Sequence, residues 1–269
     1  MPVTPDGYLK AGDPEGALAA LSAEIRAHPG DAKLRIFLFQ LLCIQGDWKR
    51  AITQLKLCAE LDALALPMAQ TYREAIICEV FREKVFQGEK LPLVLGEPPG
   101  WIALQIEALQ ALSQGQGSRA ADLRAQAFDS APATSGEADG TAFTWIADAD
   151  MRLGPVLEAT IDGKYYWLPF DRLSAVRIEP PTDLRDRVWM PANLTFANGG
   201  ETVALIPTRY PETTRDGSGA ARMALATDWR DLGSETWAGT GQRLLTTDAG
   251  DLPLMDLRAL RLDPGRVDG

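Results

Sequence analysis

Histidine and cysteine are scarce in this chain, and their scarcity removes most of the familiar routes to chemistry. The one histidine, His28, sits in the last turn before Pro29, where an imidazolium suits a helix end. It has no second His, and no nucleophile or orienting acid stands beside it in sequence. Cys43, Cys58 and Cys78 stand 15 and 20 residues apart in helical patterns, so neither a CxxC metal knuckle nor a disulfide framework fits. They read as small buried side chains in a reducing compartment. Positive charge is also in deficit: 27 Lys and Arg face 37 Asp and Glu. The net charge of −10 opposes binding to a phosphate backbone. No apolar run reaches the roughly 18 residues of a membrane span. Residues 1–6 lack the basic start and apolar segment of a secretory leader. These absences predict a soluble cytoplasmic protein with no nucleic-acid or membrane partner, no cofactor and no metal.

What is present is apolar material, 46% of 269 residues, enough for two ordinary cores. Residues 13–61 say the same thing twice: Gly12-Asp13 returns as Gly46-Asp47, Ala17 as Ala51 and Leu21 as Leu55, each 34 positions on. That is the period of a tetratricopeptide helix-turn-helix. Each Asp stands at a helix N-cap, where its carboxylate can take up free amide hydrogens, and each Ala lets a neighbouring helix approach. Further helices are expected over 32–44, 47–61 and 67–86. The last carries Met68, Tyr72, Ile76, Val80 and Phe86 on its buried stripe, with Arg73, Glu74, Glu79, Arg82 and Glu83 off it. Gly115, Ala120 and Pro132 keep the spacing of Gly12, Ala17 and Pro29, which makes 101–131 a third, diverged copy. Tyr8-Leu9 predicts the remnant of a first helix.

Composition changes after Pro132. The small, polar stretch 133–140 reads as a linker between a helical repeat domain, 1–132, and a β-rich domain, 141–269. Five of the seven tryptophans lie beyond it. Asp162-Gly163 between two extended runs is a strong type I′ hairpin signal, since both turn residues need positive φ. Residues 197–200 and 248–251 mark two more hairpins, and 219–229 a short helix. Asn198-Gly199-Gly200 could cradle an anion, but no Lys-Ser/Thr follows, and the flanking strands favour a turn. In Tyr165-Tyr166-Trp167, alternation puts Tyr165 and Trp167 on one face and Tyr166 on the other. In a one-sided sheet only one set is buried. The predicted fold is a multidomain α and β chain: a tetratricopeptide-like α-hairpin array, then a small antiparallel sheet or partly closed barrel.

Several phrases resemble the ImpE (TagJ) family of bacterial type VI secretion accessory proteins: 34–42 (LRIFLFQLL), 145–159 (WIADADMRLGPVLEA), 165–170 (YYWLPF), 183–192 (DLRDRVWMPA), 198–211 (NGGETVALIPTRYP) and 241–248 (GQRLLTTD). They fall in order across nearly the whole length. One departure is Glu212-Thr213-Thr214, where the family pattern would place Gly-Ser-Glu. The resemblance implies a non-enzymatic cytoplasmic adaptor. Its implied partner is the TssB-like small subunit of the contractile sheath, bound through that subunit's N-terminal helical segment, with an indirect link to the ClpV-type AAA+ ATPase that recycles the sheath. It carries no catalytic residues across.

Two sets of residues are candidate sites. A repeat array can take an amphipathic helix in its groove, and Arg35, Phe39, Tyr72, Arg73 and Glu79 are the candidate lining, unless Phe39 and Tyr72 are core between hairpins. Asp148, Asp150, Glu158 and Asp162 form the densest carboxylate group. On a strand they could hold a divalent ion or serve a hydrolase, with Asp148, Asp150 and Glu158 at its centre; in a turn they cap amides, and Arg152 neutralises them.

Overall fold

The computed structural model describes residues 4–264; residues 1–3, part of the stretch 1–6 read above, and 265–269 lie outside the described residues. Thr4 caps α1 (Pro5–Lys10), the short helix expected around Tyr8 and Leu9. Asp13 accepts the Gly16 amide at 2.8 Å and starts α2 (Pro14–Ala27). Asp31 accepts the Lys33 amide at 2.8 Å and starts α3 (Ala32–Gln45). Asp47 accepts the Arg50 amide at 3.2 Å and starts α4 (Trp48–Leu61). Gly12 and Gly46, each at φ +74°, make the left-handed turns before the repeated caps, a conformation that favours glycine. Ala17 and Ala51 are fully buried where helices cross, with Leu21 and Leu55 beside them. The 34-residue echo is therefore a real structural repeat.

The long α5 (Leu66–Phe86) follows, then a loop holding the short β1 (Leu93–Val94). The third hairpin is α6 (Gly100–Ser113) and α7 (Gly117–Ser130), with Ala120 buried as in the other copies. It diverges at its cap, where the Gln116 side chain accepts no helix amide.

Composition predicts a linker over 133–140, but the structure forms β2 (Gly136–Ala138) there. This strand pairs on both sides, with β14 (Ala259–Leu262) and with β3 (Thr141–Phe143). The chain continues through β4 (Ile146–Asp148), β5 (Val156–Ile161), β6 (Lys164–Pro169), β7 (Leu173–Ile178), β8 (Trp189–Phe196) and β9 (Glu201–Pro207). After α8 (Thr213–Asp216) and α9 (Gly219–Arg222) come β10 (Thr227–Asp231), β11 (Trp237–Gly241), β12 (Leu244–Thr247) and β13 (Gly250–Pro253). The helix expected over 219–229 thus stops at Arg222, and Trp229 lies in β10.

Nine strands form one open sheet in the order β1-β6-β5-β9-β8-β7-β14-β2-β3, antiparallel except where β1 runs parallel to β6. A second sheet of three strands, β13-β12-β4, covers part of it, and β10 and β11 form a ribbon. The Asp162-Gly163 turn has φ of 47° and 70°, as the type I′ reading requires, and closes β5 onto β6. The hairpins read at 197–200 and 248–251 are β8–β9 and β12–β13.

This sheet is covered on both faces. Leu157, Ala159, Leu168, Met190, Leu194 and Ile206 point into a core shared with Leu245, Leu254 and Leu260. On the opposite face Val156, Tyr165 and Trp167 pack under α5 and α6, and Trp189 and Leu205 pack against α3 and α5. Tyr165 and Trp167 are accordingly buried, and Tyr166 is half-buried against the other core, so neither set is left open. All six residues of β5 are buried, which brings Glu158 directly beneath α5.

Candidate functional site

A carboxylate on a strand buried from both sides must find cations, and they come from elements distant in sequence. The helix α5 presents Glu79 and Arg82 on the face turned to the sheet, together with Tyr72, Ile76, Val85 and Phe86. Val80, expected inside, is exposed instead. The stripe is rotated because Arg82 completes a charge pair that periodicity alone does not register. The Arg82 Nε and Nη2 donate to the two oxygens of Glu158 at 2.6 and 2.7 Å, a bidentate fork. The Tyr165 hydroxyl donates to the same carboxylate and in turn accepts from the Trp167 indole at 2.8 Å. Arg243 Nη1 stands 3.3 Å from Glu158 Oε2. Glu79 lies 3.4 Å from Arg82 and accepts from the Trp189 indole at 3.1 Å.

The network continues into the turn after β4. Asp148 accepts from Arg243 Nε and Nη2 at 3.0 and 2.6 Å, and its other oxygen caps the Asp150 amide at 2.8 Å. Asp150 accepts the backbone and side chain of Arg152, at 2.6 Å from Nη2, and the Gly239 amide at 2.9 Å. Arg209 donates to the carbonyls of Ile44, Cys43 and Arg222. Glu79, Asp148, Asp150 and Glu158 are thus matched by Arg82, Arg152, Arg209 and Arg243, all buried. Charge is locally balanced, which is the condition for burying it.

Protonation follows from this packing. Burial alone would raise the Glu158 carboxyl, but Arg82, Arg243 and the hydrogen bonds outweigh it and hold Glu158 below its ordinary value. Burial raises Glu79 against the pull of Arg82 and Arg209. Asp148 is pushed up by burial to about 6, against Arg243, and the neighbouring Asp150 adds to the rise. Arg243 for its part is raised: burial opposes its charge, but Asp148 and Glu158 more than offset that. The shift on Asp148 weakens the pair and the shift on Arg243 strengthens it. With two carboxylates on one guanidinium, the geometry favours charge on both partners at neutral pH.

Asp148 should therefore make stability depend on pH. Its folded value lies above the ordinary 3.8, so the folded chain holds the proton more tightly than the unfolded one. Its contribution is fully present below about pH 4 and is lost as pH rises through about 6. The stability advantage of the wild type over Asp148→Asn is expected to widen as pH falls from about 7 to about 4.5, read from urea midpoints. A gap that does not change with pH would mean that Asp148 titrates ordinarily.

This arrangement answers the carboxylate question raised by the sequence. Asp148 and Asp150 cap backbone amides, Arg152 neutralises Asp150, and Asp162 lies in the hairpin turn. Among the described residues no group of three or more His, Cys, Asp or Glu could hold a metal ion. Each carboxylate of the proposed hydrolase centre faces a guanidinium.

The groove candidates are divided. Phe39 is fully buried and packs its ring 5.8 Å from Tyr72, which in turn lies 5.8 Å from Trp189. These two side chains and Glu79 join the helices to the sheet, because β8 fills the space that an isolated array would leave open. Arg73 is exposed, and half-buried Arg35 holds the Pro29 carbonyl at 3.1 Å and Gln54 at 3.3 Å. Neither motif nor periodicity singles out Arg82, Arg209 or Arg243 in the sequence. The signal available for the last two was a lone Arg inside an otherwise apolar or small-residue phrase, LIPTRYP and GQRLLTTD.

Comparison with known proteins adds three findings. Residues 140–261 match the family model described as ImpE protein. The chain is 52% identical over 256 residues to the type VI secretion system accessory component TagJ of Pseudomonas aeruginosa, covering 95% of this chain and 90% of that one. The X-ray crystal structure of protein VPA1032 from Vibrio parahaemolyticus superposes with a TM-score of 0.89 at 26% identity, over 97% of this chain and 98% of the other.

Proposed function

This chain belongs to the ImpE family, and from that premise we propose that it is a non-enzymatic adaptor of a type VI secretion system. An accessory role in that system, with protein partners inside it, comes with the family. The finer reading is that it binds the small subunit of the contractile sheath through that subunit's N-terminal helical segment. In doing so it helps couple the sheath to its recycling AAA+ ATPase. The observation that carries this reading is the 52% identity to TagJ over nearly the whole of both chains. The neutralised charge network supports the absence of turnover, since its acids hold the fold together. No helix among the described residues is long and apolar enough to cross a membrane.

The purified chain is expected to capture the sheath small subunit, and deleting the first helix of that subunit should abolish capture. Undiminished capture after the deletion would refute the mode of binding. Failure to capture the intact subunit would refute the adaptor reading itself.

A further inference from the structure

The described surface has several depressions, and charge separates them. One groove of about 730 Å³ runs between β1 and α6, with Leu91, Leu93 and Ile106 along it. Its rim charges, Glu107 and Arg119, already bind each other at 2.6 Å, so the groove asks for no charge from a ligand. A hollow of about 360 Å³ beside Trp145 and Phe128 is lined mainly by apolar groups, and the Asp148 side chain on its wall is committed to Arg243.

A larger cleft, about 920 Å³, is different. It opens between α1, α3 and the segment leading into β8, with Leu9, Phe37, Leu184 and Leu225 on its walls and the cations Lys10 and Arg187 among them. Arg187 is half-buried, and its one hydrogen bond among the described residues is from Nη1 to the Met223 carbonyl at 2.9 Å. The acids nearest to it in sequence are committed elsewhere. Asp183 binds Arg185 at 2.6 Å, and Asp186 accepts the Thr182 and Asp183 amides at 2.7 and 3.0 Å. Asp6 also lines the cleft, but no described carboxylate lies within ion-pair distance of Arg187 or Lys10. A partly desolvated guanidinium with unused donors, in a chain of net charge −10, marks a place built for an anion from outside.

We propose that this cleft is the docking site for an amphipathic helix of the partner, whose apolar side chains contact Leu9, Phe37, Leu184 and Leu225 while an Asp or Glu on the same face pairs with Arg187. This rests on the adaptor reading and gives it an address. An anchor set at i, i+3 or i+4 and i+7 puts apolar groups and one acid on a single helical face, which is what these walls complement. Fluorescence anisotropy with the labelled sheath small subunit tests it, on the full chain and three variants. Leu225→Asp changes a side chain that is 52% exposed, so the fold should tolerate it. Arg187→Glu reverses the key charge, and Leu93→Asp alters the groove beside α6 as a control.

At least tenfold weaker binding is expected for Leu225→Asp and Arg187→Glu, with the control unchanged and with all three circular dichroism spectra like that of the wild type. Weak binding by the wild type that tightens as salt falls, with the slope reduced in Arg187→Glu, would confirm the charge contact. If Arg187→Glu proves misfolded, Arg187→Gln and Leu225→Asp decide. Wild-type affinity in both cleft variants overturns the site and leaves the adaptor reading standing. Weakening by Leu93→Asp alone moves the site to the other groove. No binding by the wild type overturns both readings. Self-association that Leu225→Asp abolishes would assign the cleft to a second copy of this chain and overturn the partner proposal.

Discussion

Glu158→Gln is expected to destabilise the fold by about 3–5 kcal/mol, the usual consequence of removing one member of a fully buried ion pair. The amide would keep the shape, but it turns an N–H toward the Arg82 guanidinium, which needs an acceptor. Within this network Arg82, Arg152, Arg209 and Arg243 would then face only the carboxylates of Glu79, Asp148 and Asp150. The remaining amide oxygen can still accept from the Tyr165 hydroxyl, itself fixed by Trp167, but as a neutral and weaker acceptor. Because Arg82 lies on α5 and Glu158 on β5, the loss falls on the contact between helices and sheet. Thermal and urea unfolding measure it. The double variant Arg82→Gln with Glu158→Gln should recover part of the loss, since it removes the unpaired cation as well. The exposed pair Arg119–Glu107 offers the contrast. Its 2.6 Å separation equals that of the buried pair, yet breaking it should cost under about 1 kcal/mol because water already solvates both ends. Equal effects at the two sites would mean that the buried network contributes no more than a surface contact.

How much of this could be read from the sequence depended on the range of the interaction. The caps at Asp13, Asp31 and Asp47 bond to amides two or three residues on, and the turn at Asp162-Gly163 is set by its own φ angles, so each was visible locally. The Glu158–Arg82 pair spans 76 residues, and nothing near either residue reports the other. Hydrophobic periodicity therefore placed Glu79 and Arg82 outside and Val80 inside. The stretch 133–140 misled for a related reason. Small residues without a strong apolar pattern resemble a linker, but β2 owes its place to pairing with β14 from the far end of the chain. Glu212 is a middle case. It departs from the family pattern where Gly is expected, and its φ of 68° is the conformation that Gly adopts freely. Ion pairs to Arg215 at 3.0 Å and Arg230 at 2.6 Å accompany the left-handed backbone, which a Gly could not have supplied.

Arg209→Met should produce a loss of similar size, about 3 kcal/mol or more, by a different physical route. Among the described residues no carboxylate forms an ion pair with Arg209. Its fork donates to the Ile44 carbonyl at 2.8 Å, the Arg222 carbonyl at 2.6 Å and the Cys43 carbonyl at 3.1 Å. Ile44 and Cys43 belong to the last turn of α3, where the helix leaves carbonyls without intrahelical partners and where the dipole favours a cation. Arg222 closes α9, so a single guanidinium ties a repeat helix to the strand exit of β9 and to the short helix beyond. Burial lowers its ionisation to about 10, with Glu79 resisting the fall, so it stays charged at neutral pH. Methionine fills the same space but leaves the Ile44 and Arg222 carbonyls without a partner and Cys43 with the Gly46 amide alone, at 3.2 Å, and each unpaired group costs about 1–3 kcal/mol. Arg209→Lys keeps the charge but lacks the planar fork, and one ammonium cannot reach carbonyls on two elements with the same geometry. Its loss should therefore be intermediate. Amide exchange gives the decisive readout: in Arg209→Met the protons in the last turn of α3 should exchange faster by more than the global destabilisation requires. Exchange that accelerates uniformly along the chain would show that Arg209 fills space and does not hold the helix end.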